Sequence, residues 1–458
     1  MDLRTALEEA LGPEAVLTDR ELMEPYAHDW SGAAARYPDV VVRPKSTVEV
    51  QAVLRVANHL RVPVTPRGLG SGKAAGALAD RGIVLSTEKL TGIVELNVPD
   101  LLVVARAGTR LSDIQDAVEA EGLFYPPDPG GAHLSSIGGN VACNAGGPRA
   151  LKYGVTRNWV LGLEAVMANG EVVRTGSRAP KHVAGYDLTG LLAGSEGTLA
   201  VVTEVTLRLR PLPRGACTAL VAFSDVRAAS QAVTTVLGAG LLPRALELLD
   251  EAATRALAAD APHLVKPDDG ALLIVETDGH DDDVALAELA RVVEVLEAGG
   301  AMRADVAQTA SERERVWAPR RMLSESLRAT APRKRSEDVS VPRSRIPDLL
   351  DELRDVAERT GVRIAAYGHA GDGNLHVNVL FSEEQEDRAH EALVSVAKVA
   401  VKLRGTISGE HGVGLLKRDL MPLEQSELLL EIQRQVKGAV DPHGILNPDK
   451  VLPPRRSP

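Results

Sequence analysis

The segment Tyr367-Gly-His-Ala-Gly-Asp-Gly-Asn-Leu-His-Val-Asn378 holds His369 and His376 on either side of a Gly-Asp-Gly-Asn turn. Seven residues apart on one straight strand, two side chains would face opposite sides. The turn removes that constraint and lets both imidazoles project from adjoining strand ends toward one point. Further on, Thr406-Ile-Ser-Gly-Glu-His-Gly-Val-Gly414 adds Glu410 and His411. Two imidazoles and a carboxylate make a divalent-metal site, for Zn²⁺ or Mn²⁺, with positions left open for a substrate. A hydroxyl on such a metal is acidified, and a neutral histidine within reach can take its proton. His411 suits that role because it follows Glu410 directly and because Gly409 and Gly412 let the backbone turn both side chains one way. Any one of these histidines alone would fit a turn that merely satisfies backbone groups; the set together favours the metal.

Three glycine-rich stretches make a second constellation. Pro66-Arg-Gly-Leu-Gly-Ser-Gly-Lys73 follows a predicted strand at Val62-Pro-Val-Thr65. It is not the phosphate loop of nucleotide triphosphatases, because Ala74 follows Lys73 and Arg67 sits where the first glycine belongs. The dinucleotide fingerprint fails from Gly68 and Gly70; from Gly70 and Gly72 it reaches Ala75, a permitted variant, but a poor helix follows. What remains is a loop whose backbone N–H groups can converge on an anion. Ser135-Ser-Ile-Gly-Gly-Asn-Val-Ala-Cys-Asn-Ala-Gly-Gly147 has small side chains that let its backbone press against a flat ligand. Gly194-Ser-Glu-Gly-Thr-Leu199 leads into a strand. Separated loops of this kind, each beside strands, point to one large cofactor.

The elements that must position these residues alternate along the chain. Strands are predicted at Val40–Val42, Ile83–Leu85, Ile93–Leu96 and Leu102–Ala107, and helices over Thr47–His59 and Asp113–Glu121, the latter capped by Ser112. Val201, Thr203, Val205, Leu207 and Leu209 form one face of a strand that Pro211 and Pro213 end. Pro211-Leu-Pro-Arg-Gly215 is a domain boundary. Beyond it, strands at Cys217–Phe223, Leu272–Glu276, Val362–Tyr367 and Asn374–Phe381 alternate with helices over Val226–Leu237, Asp282–Ala298, Asp351–Arg359 and Glu384–Leu403, which suggests an open sheet covered by helices.

A chain of 458 residues exceeds one compact core. The formal net charge of -11 argues against nucleic acid and requires a local cationic pocket for any anionic substrate. Two cysteines, Cys143 and Cys217, exclude a disulfide scaffold and a four-thiolate iron–sulfur cluster within this chain, and fit a reducing, cytoplasmic setting. The N-terminus reads as an acidic amphipathic helix, not a signal peptide, and no apolar run is long enough to span a bilayer. Peripheral association with the inner face of the membrane and a homodimer both stay open.

Taken together, Pro66–Gly72, Tyr125-Pro-Pro-Asp-Pro129 with Ile137-Gly-Gly-Asn140, Lys152-Tyr-Gly-Val155, and Val183-Ala-Gly-Tyr-Asp-Leu188 with Gly194–Thr198 resemble the FAD-binding domain shared by vanillyl-alcohol oxidase and p-cresol methylhydroxylase. The C-terminal half resembles the glycolate oxidase large subunit, D-lactate dehydrogenase and D-2-hydroxyglutarate dehydrogenase group. The motifs occur in the family's order, from about Tyr37 to Val451. The resemblance implies an α+β fold: a two-subdomain FAD-binding domain, an α/β substrate-cap domain, and a C-terminal segment returning to the flavin. On this chain those would be 36–213, 214–405 and 406–458, after an N-terminal helical segment at 1–35. Arg67, Gly68, Gly70, Ser71 and Gly72 would contact the pyrophosphate. Pro129, Ser136, Gly138, Gly139 and Asn140 would follow the flavin, with Asn144, Gly146 and Gly147 close by. Gly197, Thr198 and Val202 would complete the site, and Asn447 would approach the isoalloxazine.

The implied activity is oxidation of a small D-2-hydroxy acid to the 2-oxo acid by hydride transfer to flavin N5. The resemblance repeats His369, His376 and Glu410 as metal ligands and His411 as base, and makes Arg320, in Trp317-Ala-Pro-Arg320, the arginine that binds the substrate carboxylate. Arg321 is adjacent, so both registers stay open. Relatives selective for hydroxyglutarate place a lysine where this chain has Ser336, in Arg333-Lys-Arg-Ser-Glu-Asp338, a charged run that also fits a solvated loop. Electrons must leave to an external acceptor: an iron–sulfur subunit, an electron-transfer flavoprotein, a cytochrome or a quinone. Alternatives are an oxidase using oxygen, or a flavin electron-transfer subunit of a larger complex. The Arg67–Ala77 loop lacks the histidine or cysteine of covalent relatives, and Cys143 reads as packing. Acid precipitation should therefore release all the yellow colour into the supernatant, and flavin retained in the washed pellet would contradict noncovalent binding.

Overall fold

The computed structural model describes residues 2–455. The chain divides into two compact units, one made of Met1–Gly146, Val155–Pro211 and His411–Pro458, the other of Gly147–Gly154 and Leu212–Glu410.

The first unit holds a four-stranded sheet, a five-stranded sheet and a two-stranded pair of Leu123–Phe124 with Arg210–Pro211. In the four-stranded one, Val40–Val42 and Val64–Arg67 flank Ile83–Ser86 in parallel, and Val16–Leu17 closes one edge. Its strands are covered on both faces, which is why they read as continuous apolar runs rather than alternating ones. Helix Thr47–Leu60 turns Val50, Val53, Leu54 and Ala57 into that core, and Ser46 caps it by accepting the Glu49 N–H. The five-stranded sheet is antiparallel, in the order Ile93–Asn97, Leu102–Arg106, Val201–Arg208, Val160–Val166, Val172–Gly176. Val201, Thr203, Val205 and Leu207 are its buried face, as their alternation predicts.

Ser112 does not cap the next helix, which runs over Leu111–Ala120 with Arg110 at its N-cap. The Leu111 and Ser112 N–H groups bond the Ser135 and Ala132 carbonyls, so neighbouring backbone replaces the side-chain cap. The second glycine stretch contains a short helix, Ile137–Cys143, capped by Ser136 and ended by Asn144 in the left-handed region. A Cβ at Gly138 would lie 2.6 Å from the Ala107 Cβ, so only glycine permits this approach. The C-terminal stretch lies beside the edge strand Val64–Arg67: Val64 N donates to Ile445 O at 2.7 Å and Asn447 N to Val64 O at 2.7 Å.

The second unit is built on a seven-stranded antiparallel sheet, in the order Arg303–Ala307, Gly215–Phe223, Ala271–Gly279, Ala245–Leu249, Arg363–His369, Asn374–Phe381, Arg333–Ser340. Helices Val226–Gly238, Asp282–Ala298, Ile346–Thr360 and Glu386–Lys402 fill one face with aliphatic side chains. On the other, helices Glu251–Asp260 and Ala310–Ala329 cover Leu220, Leu249, Leu272, Ile274 and Tyr367. The charged run at 333–338 is the edge strand of this sheet, not a solvated loop: Arg333 and Arg335 pair outward with Glu383 and Glu386, and Asp338 points into the opposite, buried face.

Lys437 ties the returning segment down. Its Nζ donates to Thr198 O at 2.7 Å and Leu446 O at 2.8 Å and pairs with the fully buried Asp441 carboxylate. Lys437→Met leaves that carboxylate without its counter-charge and should destabilise the protein by about 3 kcal/mol. Urea unfolding with an unchanged midpoint would refute this.

Candidate functional site

His369 ends one strand and His376 lies on the next, joined by the tight turn 370–373. Glu410 arrives from the loop that follows helix Glu386–Lys402. Donor atoms of all three lie within 4.8 Å of one another. Both Nε2 atoms face the same carboxylate oxygen, Glu410 Oε1, at 3.5 Å from His369 and 3.6 Å from His376. The fully buried Asp338 carboxylate holds the Glu410 loop, accepting the Glu410 N–H at 2.6 Å and the Ser408 hydroxyl at 3.2 Å. A Cβ at Gly409 would come within 2.1 Å of Asn374 Nδ2, so a larger residue before Glu410 would have to displace that buried side chain. Two nitrogen donors and one carboxylate converging in this way fit a divalent cation.

Sequence reasoning misses one residue of the cluster. Glu247, in the strand Ala245–Leu249, is 0% exposed and accepts from His369 Nδ1 through one oxygen and from Arg320 Nη2 through the other. Burial alone would raise its carboxyl; the His369 and Arg320 charges outweigh burial and hold it at about 2. Burial alone would lower His369, but Glu247 and Glu410 outweigh that and hold it well above its usual value. The surroundings of His369 thus stabilise positive charge. The one signal for Glu247 in the sequence is a lone acid inside the apolar run Ala245-Leu-Glu-Leu-Leu249.

Arg320 belongs to this cluster and Arg321 does not. Arg320 is buried in helix Ala310–Ala329, 4.6 Å over the Tyr367 ring, and its Nε has no hydrogen-bond partner. Arg321 is exposed and pairs with Glu314. Ser336 donates to Asn378 Oδ1 at 2.6 Å, and Lys334, two residues before it on the same sheet face, reaches that oxygen at 3.2 Å.

In the first unit the glycine loops pack on one another. A Cβ at Gly68 would lie 2.5 Å from Ser136 Oγ. Gly70 and Gly197 have φ of 76° and 70°. Asn447 Nδ2 donates to Gly76 O at 3.0 Å and Glu196 O at 2.7 Å, and so joins the first and third loops to the C-terminal segment. The Glu196 carboxylate accepts the Val413 and Gly414 N–H groups, at 2.7 and 2.8 Å, and fixes the turn that follows His411. Thr198 and Val202 follow in the chain, Val202 on the strand Val201–Arg208. Asn144 Oδ1 accepts the Arg157 N–H, while Gly146 and Gly147 straddle the boundary between the units. Pro129 and Ser71 lie on irregular backbone.

This architecture fits a cofactor of FAD's kind. Arg67 Nη1, Ser135 Oγ and Asn140 Nδ2 are buried without hydrogen-bond partners, and a Cβ at Gly72 would meet nothing within 4 Å. Burial pushes the half-buried Cys143 thiol up to about 12, which disfavours its thiolate. Among the described residues, no helix is long and apolar enough to cross a membrane.

Comparison with known proteins agrees with this architecture. Residues 38–176 match the family model described as "FAD binding domain", and 212–451 match "FAD linked oxidases, C-terminal domain". The chain is 35% identical over 455 residues to the glycolate oxidase subunit GlcD of Bacillus subtilis, covering 98% of this chain and 97% of that protein. It is 38% identical over 419 residues to a D-lactate dehydrogenase of Archaeoglobus fulgidus, covering 90% and 91%. It is 33% identical over 461 residues to a D-2-hydroxyglutarate dehydrogenase of Stutzerimonas stutzeri, covering 98% of each chain. The fold superimposes on p-cresol methylhydroxylase with a TM-score of 0.82 at 16% identity, covering 98% of this chain and 96% of that one. The protein belongs to the FAD-linked oxidase family. It is an FAD-linked oxidoreductase with the mixed α+β fold of the p-cresol methylhydroxylase type.

The two arginines should separate cleanly on substitution. Arg320→Ala leaves Glu247 buried with one partner fewer and should cost about 3–5 kcal/mol. Arg321→Ala should stay within about 0.5 kcal/mol of wild type. Equal thermal unfolding of the two variants would contradict the assignment.

Proposed function

We propose that this enzyme oxidises a small D-2-hydroxy acid, of the D-lactate, glycolate or D-2-hydroxyglutarate class, to the 2-oxo acid. The convergence of His369, His376 and Glu410 carries this reading, since a simple electron carrier needs no such donor set. The names of the relatives above point to the same substrate class.

The reaction removes a proton from the hydroxyl oxygen and a hydride from C2. FAD, held noncovalently by the glycine loops, supplies the hydride acceptor when bound. Zn²⁺ or Mn²⁺ held by His369, His376 and Glu410 would supply Lewis acidity toward the substrate's hydroxyl and carboxylate. His411 takes the hydroxyl proton on an imidazole nitrogen. Glu196 steadies the turn from which His411 projects, through the Val413 and Gly414 N–H groups. Arg320 offers the substrate carboxylate the N–H groups that Glu247 leaves unused. The two cysteines cannot build a four-thiolate cluster, so the electrons pass to an acceptor outside this chain.

A dye-linked screen of 2-hydroxy acids, run beside peroxide detection in air, tests the reading. One D-2-hydroxy acid should reduce the dye with little peroxide. His411→Ala and His411→Gln should each lower kcat by roughly 10²–10⁴ with FAD retained, because neither side chain can accept the proton. Near wild-type turnover of the glutamine variant would reassign the base. Dye reduction by none of these acids would remove the proposal itself.

A further inference from the structure

The geometry points to Glu247 as the positioning residue of the metal centre: clamped by Arg320, its carboxylate holds His369 in the tautomer and orientation that present Nε2 to the cation. This rests on the reading of His369, His376 and Glu410 as metal ligands.

Glu247 stands directly opposite His369 in an antiparallel strand pair, so the backbone puts both side chains on one face at close range. An imidazole that donates from Nδ1 to a carboxylate keeps its lone pair on Nε2, and the partner fixes the ring plane. His369 Nε2 is the atom that looks toward Glu410 Oε1, at 3.5 Å. Glu247 is not itself a fourth ligand, because each oxygen has another partner: Oε1 meets His369 Nδ1 and Oε2 meets Arg320 Nη2. Arg320 therefore does two things for the centre. It neutralises a carboxylate that would otherwise lie uncompensated in the interior, and it holds that carboxylate back from the cation. The ligand set then carries a single negative charge, so a divalent ion keeps net positive charge toward an anionic substrate.

The test titrates the FAD-loaded full chain with Mn²⁺ and follows free Mn²⁺ by electron paramagnetic resonance. Wild type should bind Mn²⁺, and His376→Ala should abolish binding. Glu247→Ala should weaken it by about 10–100-fold, with unchanged FAD content, and excess Mn²⁺ should restore turnover, which a merely structural defect would not allow. Glu247→Gln, isosteric but uncharged, should weaken binding by about 10-fold. If Glu247→Ala does not fold, the glutamine variant decides alone. Wild-type affinity in the Glu247 variants, with binding lost in His376→Ala, overturns the role of Glu247 and leaves the metal reading standing. A wild-type protein that binds no Mn²⁺ overturns both.

Discussion

A strand register organises the chemistry of the second unit. Glu247 faces His369 in one cross-strand row, and Tyr367, His376 and Asp338 face one another in the next, so two adjacent rows on one face of the sheet carry the ionisable groups. The side-chain period of a strand is two, and a slip of one residue in a strand would turn its charged groups into the aliphatic core on the other face. Buried charges persist only where they are paired and hydrogen-bonded. Here each is paired or hydrogen-bonded: Arg320 with Glu247, Glu247 with His369, and Asp338 with the Glu410 backbone N–H. Removing Arg320 would leave Glu247 with one partner fewer, and removing Asp338 would leave the Glu410 N–H without its acceptor.

The first unit solves a different problem, holding backbone close without side chains in the way. Its glycines do this for two separate reasons. At Gly68 and Gly138 a Cβ would collide with neighbouring protein, so glycine serves the packing of loop on strand. At Gly72 the protein itself imposes no such demand, and the space outside the backbone is open. Gly12 and Gly438 meet the same open space, so at Gly72 it leaves room for a ligand without requiring one.

Much of this architecture is legible in the amino-acid sequence. Helix Asp282–Ala298 and strand Asn374–Phe381 fall where their apolar spacing places them. The donor set stands out because histidine and glutamate beside glycine turns are an unusual combination. Three elements do not show themselves in this way. Strand Ala245–Leu249 carries a buried charge whose partners lie far away in sequence, so its lone acid in an apolar run gives no sign of what it pairs with. Strand Arg333–Ser340 looks like a loop because its outward residues pair with Glu383 and Glu386. Helix Ala310–Ala329 is strongly charged and contains Pro319, and its inward residues include an arginine. In each case tertiary pairing replaces hydrophobic patterning as the reason for burial, and Glu247 stays hidden for that reason.

The first unit is discontinuous, its last piece beginning at His411, after the whole of the second unit's main stretch. The strand Val64–Arg67 finds one neighbour, Leu446, almost at the other end of the chain. During synthesis the second unit can therefore close its sheet while the first still waits for its final residues. Loop-closure entropy makes such distant pairings slow. The nascent first unit thus spends most of translation with the Val64 edge uncovered. A ribosome stalled before His411 would release a folded second unit tethered to a half-built flavin site.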